Sequence, residues 1–207
     1  RPPDGAAARR GDPNREGDVS MSKTLKIAWG ITGAGDYLAA SMEAMKTVAR
    51  ELDAEVTVLL SKDGELVVKW YNLWDELTAS FDKVKSERGP NVPFVAGPLQ
   101  LGEYDLFFVS PLTGNTTAKI AHGIADSLIS NCVAQTVKGG TPVYVYPVDQ
   151  RPGSQLTEGP RGEEITITTR QIDLDNVERL RGMEGITVLA RPGEIEAVAR
   201  KLAEDAG

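Results

Sequence analysis

Three short runs of this sequence carry the glycines, hydroxyls and amide that hold a phosphate ester. Gly30-Ile31-Thr32-Gly33-Ala34-Gly35 follows an apolar run and opens a helical pattern, so its backbone N–H groups suit an anion. Its glycines are spaced G-x-x-G-x-G, and the dinucleotide fingerprint G-x-G-x-x-G is not met. Ser61-Lys62 follows a second apolar run, at the place where dinucleotide folds put an acid for the ribose hydroxyls, and Asp63 stands next to it. The third run, Ser110-Pro111-Leu112-Thr113-Gly114-Asn115-Thr116-Thr117, lies between an apolar stretch and a helical one. Its hydroxyls and amide can cap a helix or hold a phosphate, and residue types alone leave both uses open. No GxxxxGK[ST] occurs, which removes the usual nucleotide triphosphatase chemistry.

The elements around these runs alternate. Leu25 to Trp29 is an apolar strand closed by Gly30, and Tyr37 to Leu52 carries Leu38, Met42, Met45, Val48 and Leu52 at helical steps. Glu55 to Leu60 is a second strand, followed by Leu66, Trp70, Leu73, Trp74 and Leu77 at helical spacing. Past a Pro/Gly-rich stretch from Gly89 to Pro98 come a third strand, Asp105 to Val109, and a helix from Asn115 to Asn131 that carries Ile120, Ile124, Leu128 and Cys132 in line. Pro142 to Tyr146 is a fourth strand, and Gly185 to Ala190 a late one leading into a closing helix, Pro192 to Ala206. Apolar strands without alternation are covered on both faces. The expected fold is therefore a three-layer α/β/α, Rossmann-like parallel sheet, in which all three runs sit at one sheet edge, where ligands bind. Between Val148 and Asp173 a polar Pro/Gly-rich stretch precedes the alternating Glu164 to Thr169, which reads as a β-hairpin insertion serving structure or a subunit contact.

Composition narrows the function. With 23 Lys and Arg against 30 Asp and Glu the formal net charge is -7, which disfavours nucleic acid as a partner. No apolar run is long enough to cross a bilayer. The single cysteine, Cys132, excludes an internal disulfide and a four-thiolate cluster, and points to the cytoplasm. No metal-ligand set is evident. The chain length of 207 residues favours one domain, residues 21–207, and residues 1–20 read as a disordered extension or expression remnant.

The run SPLTGNTTAKIAHGIADSL resembles the signature P-x-[ST]-x-N-[ST]-x-x-K-x-A-x-G-x-A-D-x-L of the FMN-binding flavoprotein family. That family includes phosphopantothenoylcysteine and peptidyl-cysteine decarboxylases, flavin prenyltransferases, archaeal flavoproteins and dihydromethanopterin reductases. AWGITGAGDYL and VERLRGMEGITVLARPGEI are most similar to the archaeoflavoprotein and dihydromethanopterin reductase branch. The resemblance implies FMN as cofactor. It places Thr32, Gly33, Ala34 and Gly35, with Ser61, Thr113, Asn115 and Thr116, around the phosphate and ribityl chain, and runs Ser110, Pro111 and Leu112 along the isoalloxazine.

Departures from the pattern discriminate within the family. The decarboxylase histidine, counted back from Pro111, falls on Gly97, and the clamp P-x-M-N-x-x-M-W has no match in PVDQRPGS. The arginine of the prenyltransferases is replaced by Val148. Redox use of the flavin remains: the resemblance implies reduction of dihydromethanopterin or a related pterin to the tetrahydro form, with NAD(P)H or a redox protein as external donor. An electron carrier serving ferredoxin-like partners is the alternative. A homotrimer or a multiple of trimers is expected, with the hairpin or a helix bearing Trp70 and Trp74 between subunits. His122 reads as a surface or packing residue, Cys132 and Trp29 as core, and Lys119 as either a helix or a flavin contact; no catalytic residue emerges.

Overall fold

A computed structural model describes residues 24–205, so the expected extension at residues 1–20 lies outside the described residues. Strand β1 (Lys26–Ile31), helix α1 (Leu38–Glu51), β2 (Glu55–Leu60), α2 (Lys62–Trp70), α3 (Trp74–Ser80) and β3 (Lys83–Ser86) form the first half. Then follow α4 (Ala96–Gln100), β4 (Leu106–Leu112), α5 (Gly114–Ala121), α6 (Leu128–Gly139) and β5 (Val143–Pro147). The hairpin β6 (Ser154–Glu158) and β7 (Glu164–Thr168), helix α7 (Gln171–Arg181), β8 (Ile186–Val188) and α8 (Glu194–Asp205) complete the chain.

Six strands form one parallel sheet in the order β3-β2-β1-β4-β5-β8. The apolar runs of β1 and β4 are buried almost end to end because alternate residues serve two cores. Ile27, Trp29, Ile31 and Phe108 pack with α1, α8 and the α2–α3 segment. Ala28, Phe107 and Val109 pack with α4, α5, α6 and α7 on the other face. This is the three-layer architecture expected. Trp29 is fully buried and its indole N–H donates to the Ser110 carbonyl at 2.8 Å, so it is core, as is Cys132. Burial pushes the Cys132 thiol up to about 12, which leaves it inert.

Two long helical patterns are each divided. Leu66 through Leu77 does not form one helix: the chain turns at Asn72, at φ 57°, and α3 starts afresh at Trp74. Trp70 and Trp74 therefore do not share a helix face. Trp70 stays 58% exposed, whereas Trp74 packs against the core with the Lys69 ammonium 4.5 Å from its ring centroid. Asn115 to Asn131 likewise breaks at Gly123, at φ 71°, so that α6 begins with its own capping box, Ser127 with Ser130. Gly123 and the Ser127 cap outweigh the in-line Ile124, which is left 47% exposed. Strand β3, KVKS, is an edge strand whose lysines give no apolar run to recognise.

The hairpin forms a separate two-stranded antiparallel sheet. It is tied to the body by the Thr157 hydroxyl on the Asp36 carboxylate and by the Tyr71 hydroxyl, which donates to the Glu158 carbonyl at 3.3 Å. Among the described residues no helix is long and apolar enough to cross a membrane.

Candidate functional site

The sheet order reverses between β1 and β4, and the loops leaving these two strands diverge there to opposite faces. Such a divergence opens a crevice at the carboxyl edge of the strands. Thr32 binds the two loops together. Its hydroxyl donates to the Pro111 carbonyl at 2.9 Å and accepts the Thr113 N–H at 2.8 Å, and its own N–H donates to the same carbonyl at 3.2 Å. Nearby, the buried hydroxyls of Ser41 and Ser110 lie 2.7 Å apart.

In the crevice lies a cleft of about 330 Å³, lined by Gly33, Ser61, Thr113, Asn115 and Thr116, with Lys62, Asp63, Glu87, Lys119 and Ser127 around them. Three helices start on it. Ser61 caps α2 by accepting the Gly64 N–H at 2.9 Å, Thr113 caps α5 by accepting the Thr116 N–H at 3.2 Å, and Ser127 caps α6. Each helix brings first-turn amides and the positive end of its dipole. Because Thr113 also donates its hydroxyl proton to Thr116 Oγ1, the Thr116 proton is free for a ligand. Gly33 keeps the wall low: a Cβ there would stand 2.6 Å from Asp63 Cβ.

Charge in the cleft nearly cancels. The Lys119 ammonium is paired with Asp126 at 2.9 Å, and Glu87 places a carboxylate across the mouth. Glu87 Oε2 accepts the Lys62 N–H at 3.2 Å and Oε1 accepts the Leu128 N–H at 3.1 Å, tying α2 to α6. The neutral donors of the cleft are hydroxyls, an amide and helix-start N–H groups, a set that fits one phosphate monoester.

Five of the expected site residues are thus brought together: Gly33, Ser61, Thr113, Asn115 and Thr116. Six do not line the cleft. Thr32, Ala34, Ser110, Pro111 and Leu112 are buried, the last three within β4 itself, and Thr32 acts by holding the loops. Gly35 lies on the side of its loop toward Tyr71 and the hairpin. The sequence did not single out Ser127 or Glu87 for this place. The Ser127 cap was legible as a serine before an apolar run with a second serine at N3, whereas nothing local marks Glu87. His122 caps α5 at its far end, where its Nε2 lies 3.2 Å from Asn176 Oδ1, away from the cleft.

A second cavity, about 180 Å³, lies between the hairpin, the β1–α1 loop and the segment that follows β5, with Asp36 and Asp149 in its wall. Burial holds the Asp149 carboxyl above the usual carboxylate range, and the charges of Asp173 and Asp36 add to this. The neighbouring Asp173 goes the other way, lowered by the Arg170 guanidinium that forks onto it at 2.8 and 2.7 Å. Burial also raises the Tyr146 phenol, which packs edge-on against Tyr37.

Comparison with known proteins places this architecture. A protein of unassigned role from Methanocaldococcus jannaschii is 50% identical, over 86% of this chain and 95% of its own. A dihydromethanopterin reductase (acceptor) of the same organism is 32% identical, over 83% of this chain and 94% of its own. Among solved structures, DmrB of Burkholderia xenovorans in complex with FMN, described as a cubic protein cage for redox transfer, superposes with a TM-score of 0.74 at 30% identity. That match covers 87% of this chain and 96% of DmrB. The family model described as Flavoprotein matches residues 17–207, the whole sheet with all three loops at its edge, and the chain belongs to the flavoprotein family.

Proposed function

We propose that this protein is an FMN-dependent oxidoreductase that reduces dihydromethanopterin or a related pterin, drawing electrons from an external donor. The observation that carries the cofactor's position is the start of α2, α5 and α6 on one cleft at the switch point. Gly33, Ser61, Thr113, Asn115 and Thr116 hold the phosphate there by hydrogen bonds from neutral groups. Thr32 sets the spacing of the two loops through its bonds to Pro111 and Thr113. Ser110, Pro111 and Leu112 make a closed strand end, so their role toward the ring is to present backbone and exclude water. FMN bound in this way supplies the hydride chemistry, while the chain supplies position and surroundings.

Support for the pterin comes from the relatives named dihydromethanopterin reductase and from the positions that depart from the decarboxylases and prenyltransferases, Gly97 and Val148. Gly97 sits in α4, on a different element from the cleft, and carries no base. Copies of the chain assemble as a trimer or a multiple of it, and the exposed Leu66 and Trp70, one turn apart on α2, offer an apolar face for that contact.

The test is anaerobic mixing of the reduced holoprotein with dihydromethanopterin. Flavin reoxidation within turnover time supports the reading. No reoxidation by the pterin, together with fast reoxidation by a ferredoxin-like protein, replaces it with an electron carrier.

A further inference from the structure

The cavity under the hairpin shares the β1–α1 loop with the phosphate cleft and is closed by Val148 and Asp149, which follow β5. The Val148 N–H donates to the Leu112 carbonyl at 3.0 Å, which brings the following residue, Asp149, against the start of α5. A Cβ on Gly114 would stand only 2.8 Å from Asp149 Oδ2, so glycine at 114 lets this carboxylate lie directly on the helix start. Gly114 is flanked by Thr113 and Asn115 of the cleft, and Asp36 follows Gly35 on the other loop. The cavity and the cleft therefore adjoin along the β1–α1 loop and at the start of α5.

Tyr37, Val148, Leu156 and Ile167 supply flat or apolar walls, and Asp36 and Asp149 supply the acids. The two acids differ in what they already hold. Asp36 accepts the Thr157 hydroxyl. Asp149 has no side-chain donor among the described residues, because the nearby Arg170 guanidinium is committed to Asp173. Its charged form is favoured only by the Gly114 N–H and, at longer range, by Arg170, against burial and two like charges. An ionised carboxylate accepts two parallel N–H bonds, so what this one lacks is a neutral partner that offers two donors side by side. A flat heterocycle with an amino group next to a ring N–H meets that need and suits the walls. At about 180 Å³ the cavity is below the usual size of a complete ligand pocket, so it takes one ring edge.

We propose that Asp149 binds the 2-amino-4-oxopyrimidine edge of the pterin, accepting the ring N3–H and one N–H of the 2-amino group, with Tyr37 and the hairpin residues Leu156 and Ile167 against the ring faces. The assignment rests on the pterin reading above and adds to it the atoms that select a pterin. A ring with a 2-oxo group sets an acceptor against the carboxylate and is rejected.

The test is calorimetric binding of 6-methylpterin and 6-methyllumazine, its 2-oxo counterpart, to the oxidised FMN-loaded protein and to Asp149→Asn and Asp36→Asn. The parent prefers the pterin by at least about ten-fold, equal to about 1.4 kcal/mol. Asp149→Asn, which presents an N–H to the 2-oxo group, loses or reverses that preference; Asp36→Asn keeps it. FMN stoichiometry measured on each preparation shows that the fold and the cofactor cleft are intact. An Asp149→Asn protein that keeps its FMN and the full pterin preference overturns the assignment and leaves the pterin reading standing. A parent protein that holds FMN but binds neither heterocycle, or both equally, overturns the pterin reading and the assignment with it.

Discussion

The Thr113 N–H donates to the Thr32 hydroxyl at 2.8 Å, across a separation of 81 residues, and this bond closes the gap between the two loops at the switch point. The same hydroxyl donates to the Pro111 carbonyl, so its donor and acceptor functions are both used in a place only 1% exposed. Thr32→Val keeps the shape and leaves the Thr113 N–H without this partner. The expected cost is about 1–3 kcal/mol in denaturant unfolding of the apoprotein, with weaker FMN retention because the loops are no longer held in register. Unchanged stability and unchanged FMN affinity would show that the loops are held by other means.

Asn115 is exposed at the second position of α5, where it can reach a phosphate. Asn115→Asp adds a negative charge at a helix start, which favours the helix while repelling a phosphate. Apoprotein stability is therefore expected to hold or rise slightly, while FMN affinity falls about ten- to a hundred-fold; Asn115→Ser keeps part of the affinity. Fluorescence titration with FMN measures this, and an Asp variant that purifies as yellow as the parent would remove Asn115 from the site.

Glu87 links the amides of Lys62 and Leu128 and lines the cleft proposed to hold the phosphate. Its charge stabilises the two helix starts and opposes an incoming phosphate. Glu87→Gln should then lower the thermal stability of the apoprotein yet increase the advantage of FMN over riboflavin in binding, since the phosphate is the only difference between those ligands. A ratio of the two affinities that stays constant would place the phosphate outside this cleft.

Asp149 and Asp173 should move stability with pH in opposite senses. The Asp149 carboxyl is raised in the folded protein, by burial first and then by Asp173 and Asp36, against the Gly114 N–H and Arg170. Between its unfolded value, about 3.9, and its raised folded value the folded state binds more protons, so this group's contribution is lost as pH rises through that window. Asp149→Asn is thus expected to melt higher than the parent at pH 7, with the gap closing toward pH 3. Asp173 is lowered by Arg170, so its contribution is present above the ordinary carboxylate value and disappears in acid. Asp173→Asn should melt lower than the parent at pH 7 and match it in acid. Thermal unfolding of the apoproteins across pH 3–7 decides both, and parallel curves would refute the opposition.

Trp70 and Trp74 separate assembly from folding. Trp70→Glu alters a side chain that is 58% exposed, so it is expected to leave the subunit folded and lower the assembly mass measured by light scattering. Trp74→Glu removes a ring packed on the core and should destabilise the subunit itself. A parent mass near that of one chain, 22.3 kDa, would refute the assembly.

Most of the sheet was legible because its strands are continuous apolar runs, a pattern that sequence carries directly. Division of the helices at Asn72 and Gly123 was not, since Leu77 and Leu128 each continue the spacing of the helix before the break. Spacing records which side of a helix is apolar, and it is blind to a turn that restarts a helix in phase.

The sequence by itself determined the three anion-suited loops, their common edge and the family signature around Asn115, because these depend on residue type and near-neighbour spacing. Tertiary structure alone decided which of those residues meet: Gly33, Ser61, Thr113, Asn115 and Thr116 in one cleft, with Thr32 turned inward as a tie and Ser110 and Leu112 enclosed in a strand. It also brought Glu87 to the starts of α2 and α6 and Asp149 to Gly114. Glu87 and Asp149 occupy unremarkable local sequence; distant backbone amides meet the first, and burial with the charges of Asp173 and Asp36 surrounds the second. Tertiary packing, and not local propensity, places a carboxylate beside each of the two cavities.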